Sequence, residues 1–198
     1  LFEKFLQILW YYRSTASLMR LSNLSRLAPA HKTYYLRSIE NSTTFRVLIC
    51  SYCIMPTHYH ILLRQNMDGG ISRFISQIQN SFTRYSNVKQ KRSGHILIHR
   101  FQSKPIASDE VFKHVSRYIH LNPYSSGIVE DLFSYPWSSI HDYVNKNKTG
   151  WLCDTTLLMQ LFNHDKERYK RFVLNNADYQ KTLEICKYAD HTDHTSEV

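Results

Sequence analysis

The sequence predicts an α+β fold organised around one antiparallel hairpin. Three observations lead there. Residues 45–54 and 58–64 are two runs rich in β-branched and aromatic side chains, separated only by Met55-Pro56-Thr57. Two strands with so short a link form an antiparallel hairpin. Several other stretches carry apolar residues at helical spacing, before and after that hairpin. Finally, 42% hydrophobic residues and 14 tyrosines are enough to build a packed core. A chain of 198 residues suits one compact domain with an appendage or two small ones.

The elements follow in order. Residues 1–13 show helical periodicity, with no capping residue before it. Residues 14–30 are rich in Ser, Leu and Arg and end at Pro29, and a second helix is predicted over about 31–39. Asn41-Ser42-Thr43-Thr44 reads as a turn into the hairpin. Asp68-Gly69-Gly70 marks another turn and a helix entry. Ile71, Phe74, Ile75, Ile78, Phe82 and Tyr85 then recur on one face of a helix reaching about Val88. Residues 95–106 read as a short hairpin or an extended arm. Ser108 or Asp109 can cap the next helix, which runs through Val111, Val115, Tyr118, Ile119 and Asn122 and is expected to stop at Pro123. Tyr135-Pro136-Trp137-Ser138-Ser139 reads as a docking loop, and residues 154–175 as one or two further helices.

Charge is unevenly spread. The net charge is +9, and residues 1–108 hold fifteen Lys and Arg against Glu3, Glu40 and Asp68 alone. No carboxylate lies between Asp68 and Asp109, whereas Arg73, Arg84, Lys89, Lys91, Arg92, Arg100 and Lys104 all do. So long a stretch of one sign favours a phosphate-binding surface over a merely solvated face. No apolar run approaches the roughly 20 residues of a membrane span, and no signal peptide is visible. Cys50-x-x-Cys53 has metal-knuckle spacing, but it lies inside an apolar strand and no second such pair follows. With Cys153 and Cys186 these are read as thiols of a reducing compartment.

Two constellations could carry chemistry. His58 and His60 are two apart in a strand, so both imidazoles point to one side and could converge on an ion. The pattern alone equally allows an incidental pair. In Tyr118-Ile119-His120-Leu121-Asn122-Pro123, Tyr118 and Asn122 share a helix face. Periodicity alone also allows a buried tyrosine with Asn122 as a helix cap. His114, one turn before Tyr118, could move a proton or simply sit at the surface.

Taken together, these strings resemble the IS200/IS605-like single-tyrosine transposases. The string Tyr52-Cys53-Ile54-Met55-Pro56-Thr57-His58-Tyr59-His60-Ile61-Leu62-Leu63 is similar to that family's His-hydrophobic-His strand. Tyr118 to Pro123 is similar to its YIxxNP-like string. Among these transposases the REP-associated ones look most similar. Further similarity lies in residues 94–101, 135–139 and 151–173, and the resemblance is good over roughly residues 45–145. It implies a ferredoxin-like antiparallel sheet with helices on one face, plus a small helical C-terminal region. The implied division is a catalytic domain over 1–145, its first strand apparently missing, and a helical extension over 146–198.

The resemblance also implies a role for each site residue. His58, His60 and Asn122 would bind a divalent metal, Mg²⁺ or Mn²⁺. Tyr118 would attack the scissile phosphate of single-stranded or hairpin DNA, leaving a 5′-phosphotyrosine link and a free 3′-hydroxyl. Arg73, Arg84, Lys89, Lys91, Arg92, Arg100 and Lys104 would track the DNA backbone, and Phe101, Tyr85 or Tyr59 could stack on unpaired bases. A bacterial-type cytoplasmic, nucleoid-associated protein is expected, monomeric or homodimeric. The alternative is a non-catalytic DNA-binding relative or an inactivated fragment of such a transposase. One position departs from the family pattern: relatives usually carry an acid two residues after the tyrosine. Here it is His120, which is expected to alter the charge at the site.

Overall fold

The computed structural model describes residues 1–96, 101–145 and 151–177. These residues form two compact units, Leu1–Ile49 with Leu63–Pro105, and Cys50–Leu62 with the chain from Ile106 onward. The α+β class is as expected. Among the described residues there is a two-stranded antiparallel sheet and a set of helices.

The first unit is built on two helices. α1, Phe2–Arg13, buries Phe5, Leu6, Ile8, Leu9, Tyr11 and Tyr12. It packs on α3, Gly70–Gln90, whose buried face is Phe74, Ile75 and Ile78. Phe5 and Phe82 meet edge to face at 4.9 Å between ring centroids. The segment after α1 contains a 3-10 turn, Leu21–Arg26, and then α2, Pro29–Glu40, whose proline sits at the first helical turn where its missing N–H costs nothing.

Arg46 organises this loop. Its side chain is buried and donates to the carbonyls of Tyr12 (3.1 Å) and Thr15 (3.2 Å), to Ser14 O, and to Ser17 Oγ (2.7 Å). That caging explains why the strand starts later than expected. β1 is Val47–Ile54, and Phe45 forms only an isolated bridge with Ser14. At the entry to α3, Gly69 has φ of 66°, and a Cβ on Gly70 would lie 2.6 Å from Arg46 O. Only glycine allows that approach. Between residues 95 and 106 no strand forms among the described residues. The reading of 95–106 as a short hairpin or extended arm falls partly on residues 97–100, which with Arg100 lie outside the described residues.

The second unit holds the closed end of the hairpin. Met55 N donates to His58 O at 2.8 Å, closing the turn at Pro56-Thr57, and β2 is Tyr59–Gln65. His58 therefore precedes the strand by one residue. α4, Asp109–Ser125, starts at Ser108, whose side chain accepts from Val111 N. Contrary to expectation, Pro123 lies inside this helix. A proline there removes one backbone bond. Ser125 Oγ to Leu121 O (2.7 Å) and Ser126 N to Asn122 O (2.9 Å) carry the helix past it.

Residues 135–139 dock along β1 as expected. Ile54 N donates to Trp137 O (2.9 Å), Ser139 N to Tyr52 O (3.0 Å), and Tyr135 Oη to Ile54 O (2.7 Å). α5, Ile140–Val144, α6, Thr156–Gln160, and α7, Lys166–Leu174, complete the unit. Tyr143 donates to Cys50 O, and its ring lies 4.9 Å from that of Tyr169. Cys50, Cys53 and Cys153 are free, buried thiols, while Cys186 falls outside the described residues.

Candidate active site

The histidine pair and the tyrosine meet within the second unit. His60 and Leu62 share one face of β2, because successive side chains alternate. Leu62 joins Ile119 of α4 in a buried apolar cluster with Cys53, Met55 and Tyr135. That packing seats α4 against the strand. One position further out on each element, the rings of His60 and Tyr118 approach edge to face, 5.4 Å between centroids. Tyr118 is 36% exposed. Its ring can therefore be reached from solvent.

His58 and His60 face each other with their Nε2 atoms 3.0 Å apart. Bare lone pairs at that distance repel, so the two nitrogens must share a proton or a cation. His58 Nδ1 lies 3.0 Å from Thr57 Oγ1. If Nδ1–H is given to that hydroxyl, the Nε2 lone pair is directed at His60, an outer contact of the kind that fixes a ligand's tautomer.

Two nitrogens each about 2.1 Å from one ion, at a right angle, would stand about 3.0 Å apart. The separation of the pair is thus compatible with two ligands of one divalent ion. Among the described residues no group of three or more His, Cys, Asp or Glu converges. A third protein donor would have to be of another kind. Asn122 is nearly buried and donates Nδ2 to Tyr118 O at 2.7 Å, which leaves Oδ1 as its donor atom toward an ion.

One sequence expectation changes on α4, and the surface reading of His114 holds. His120 lies two residues from Tyr118, hence on the opposite side of the helix, and is fully buried. Its Nδ1 meets Tyr169 Oη at 2.7 Å and its Nε2 meets Ser139 Oγ at 2.8 Å. Burial holds its pKa down to about 3, so it is neutral and brings no charge to the site. His114 has both nitrogens engaged, Nε2 with Glu110 Oε1 (2.8 Å) and Nδ1 with Arg117 Nη2 (2.6 Å).

The basic residues lie in the first unit. Arg73, Arg84, Lys89, Lys91, Arg92 and Lys104 are all exposed. The second half of α3 and the turn after it border a cleft of about 660 Å³ whose lining includes Asn80, Thr83, Arg84, Asn87, Arg92 and His95. Tyr85 carries Lys4 and Lys89 over its ring at 5.4 and 5.9 Å. Phe101 is 44% exposed.

Sequence reasoning missed Thr57, Ser139 and Tyr169. Thr57 was findable as a hydroxyl next to a strand histidine. Ser139 and Tyr169 lie 19 and 49 residues from His120, and no local pattern links them to it.

Residues 28–122 match the family described as Transposase IS200 like. Over 100 residues the chain is 32% identical to a protein of Haemophilus influenzae named as a REP-associated tyrosine transposase. The match covers 45% of this chain and 56% of that relative, so the chain spans little more than half of the protein it resembles. No solved structure matches.

Proposed function

We propose that the chain is a metal-dependent tyrosine transposase that cleaves and rejoins single-stranded or hairpin DNA through Tyr118. The observation that carries this reading is the meeting of Tyr118 with His60, and of His60 with His58, inside one compact unit. The match of residues 28–122 to the family described as Transposase IS200 like supports it.

A phenol has a pKa near 10 and is a weak nucleophile at neutral pH, so position has to supply much of the rate. His58 and His60, with Asn122 as third donor, would hold Mg²⁺ or Mn²⁺, which when bound would offset the charge of the scissile phosphate. Tyr118 Oη forms a bond to phosphorus while the phosphorus–O3′ bond breaks. The phenol proton goes to water and the departing 3′ oxygen takes one up. The 5′-phosphotyrosine link conserves the phosphodiester, so attack by a 3′-hydroxyl on it rejoins DNA and returns the phenol. Arg73, Arg84, Lys89, Lys91, Arg92, Arg100 and Lys104 would hold the DNA backbone through their charge. The α3 cleft, with its three amides and no carboxylate, suits an unpaired strand. No described helix is long and apolar enough to cross a membrane.

The test is incubation with labelled hairpin DNA and Mn²⁺, resolved on a denaturing gel beside Tyr118→Phe. A protein–DNA adduct that needs both the metal and Tyr118 is expected. DNA retarded on a native gel by folded protein, with no adduct, would leave a DNA-binding relative and defeat the enzyme reading.

A further inference from the structure

The side of α4 that faces away from the nucleophile is tied down by a buried polar chain that the proposed reaction does not use. Tyr52 N donates to Ser139 Oγ at 2.9 Å, and Ser139 Oγ meets His120 Nε2 at 2.8 Å. His120 Nδ1 meets Tyr169 Oη at 2.7 Å, and Tyr169 Oη meets Ser116 Oγ at 3.2 Å. Ser116 Oγ in turn donates to Lys113 O at 2.7 Å. His120, Ser116, Ser139 and Tyr169 are all buried. The chain thus fastens two successive turns of α4, at Ser116 and His120, to β1 on one side and to α7 on the other.

This arrangement has one consistent hydrogen pattern. Tyr169 gives its proton to Ser116 Oγ, His120 gives its Nδ1 proton to Tyr169 Oη, and Ser139 gives its proton to His120 Nε2 while accepting from Tyr52 N. Every heteroatom of the imidazole is then satisfied. An imidazole is the side chain that fits, because it accepts at one end and donates at the other along a rigid ring. An apolar core residue could fill the space, but it would leave the helix free to turn about its axis within a loosely directional packing. Directional bonds on the back of α4 fix that rotation, and the rotation decides whether Tyr118 on the front faces His60.

We infer that His120, with Tyr169 and Ser139, is a positioning device that sets the rotation of α4 and so aims Tyr118 at the His58–His60 pair. The inference rests on the transposase reading for its consequence in catalysis, but not for its geometry. A helix misplaced by about 1 Å can cost about a hundredfold in rate, so a partial loosening should slow the covalent step about tenfold or more.

Two variants test it. Tyr169→Phe removes one hydroxyl and leaves the ring packing, and His120→Gln keeps one donor and one acceptor in altered geometry. Melting first establishes that each is folded. Histidine-labelled NMR then reads the ring protons of His60, which sit beside the Tyr118 ring; Tyr118→Leu supplies their positions without it. In Tyr169→Phe those signals are expected to move toward their Tyr118→Leu positions. Adduct formation at saturating DNA should slow by about tenfold or more, with DNA affinity unchanged within about twofold. A role in stability alone would lower melting and leave both readouts of the folded protein where they were. Folded Tyr169→Phe with wild-type His60 signals overturns the inference, and should His120→Gln fail to fold this variant decides. Wild-type protein that forms no adduct defeats the transposase reading, while the His60 signals still decide the positioning.

Discussion

The buried His120 makes a quantitative claim about acid stability. In the unfolded chain this imidazole titrates at its ordinary 6.5, whereas in the fold desolvation holds it near 3, with His141 a smaller contributor. Below 6.5 the unfolded state therefore takes up a proton that the native state refuses. The contribution is fully present above 6.5 and is lost as the pH falls toward 3. At pH 5, roughly one and a half units below the unfolded value, the loss is about 2 kcal/mol. For a chain of this size about 2–4 °C of melting temperature accompany each kcal/mol, so His120 alone accounts for a fall of about 4–8 °C between pH 7 and pH 5. His120→Gln has no such proton to gain. Melting followed by circular dichroism at both pH values, for wild type and variant, isolates the effect, since the other histidines contribute to both. The fall in the variant should be smaller by about 4–8 °C. Equal falls would refute the reasoning, because His120 would then be protonated as readily in the fold as out of it.

Further outcomes follow from other particulars. Arg46→Met removes a buried cation from a cage of carbonyls, those of Tyr12, Ser14 and Thr15, of which Ser14 O keeps its bonds from Ser17. A loss of about 3–5 kcal/mol in urea unfolding is expected, and a loss under about 1 kcal/mol would contradict the cage. Thr57→Ala frees His58 Nδ1 and should weaken Mn²⁺ binding about tenfold by calorimetry, with the fold unchanged. Arg84→Ala with Arg92→Ala should weaken single-strand binding and flatten its dependence on log salt by about 0.7 per lost phosphate contact. An unchanged slope would remove these two residues from the DNA surface.

Much of the fold was legible because its signals are local. The hairpin announces itself through β-branched runs broken at Pro56. α3 shows its buried face as Phe74, Ile75 and Ile78 at helical spacing, and Ser108 caps α4 as its position before two acids suggests. The misreadings arose where tertiary contacts decide. Pro123 was expected to stop α4, but hydrogen bonds on either side of it carry the helix on. Phe45 and Arg46 looked like strand residues, yet Arg46 is held by the loop after α1. At the site, the shared side of His58 and His60 is legible from their spacing of two, although His58 stands one residue before β2, and their approach to Tyr118 is not. That approach depends on Leu62 and Ile119, 57 residues apart in the chain, joining one buried apolar cluster. His120 shows the limit most plainly. In sequence it stands two residues from the tyrosine and invites a role at the site, but the turn of the helix carries it into the core.

The central claim is that Tyr118 itself becomes joined to DNA. Protein incubated with hairpin DNA and Mn²⁺ can be digested with nuclease and trypsin and sequenced by mass spectrometry. Trypsin cuts after Arg117, so Tyr118 begins its own peptide, which also contains Tyr124, Tyr135 and Tyr143 as internal controls. The account predicts a 5′-phosphodeoxynucleotide on Tyr118 and on none of the other three. A nucleotide on Tyr124, Tyr135 or Tyr143, or an unmodified peptide from protein that has bound DNA, would contradict it.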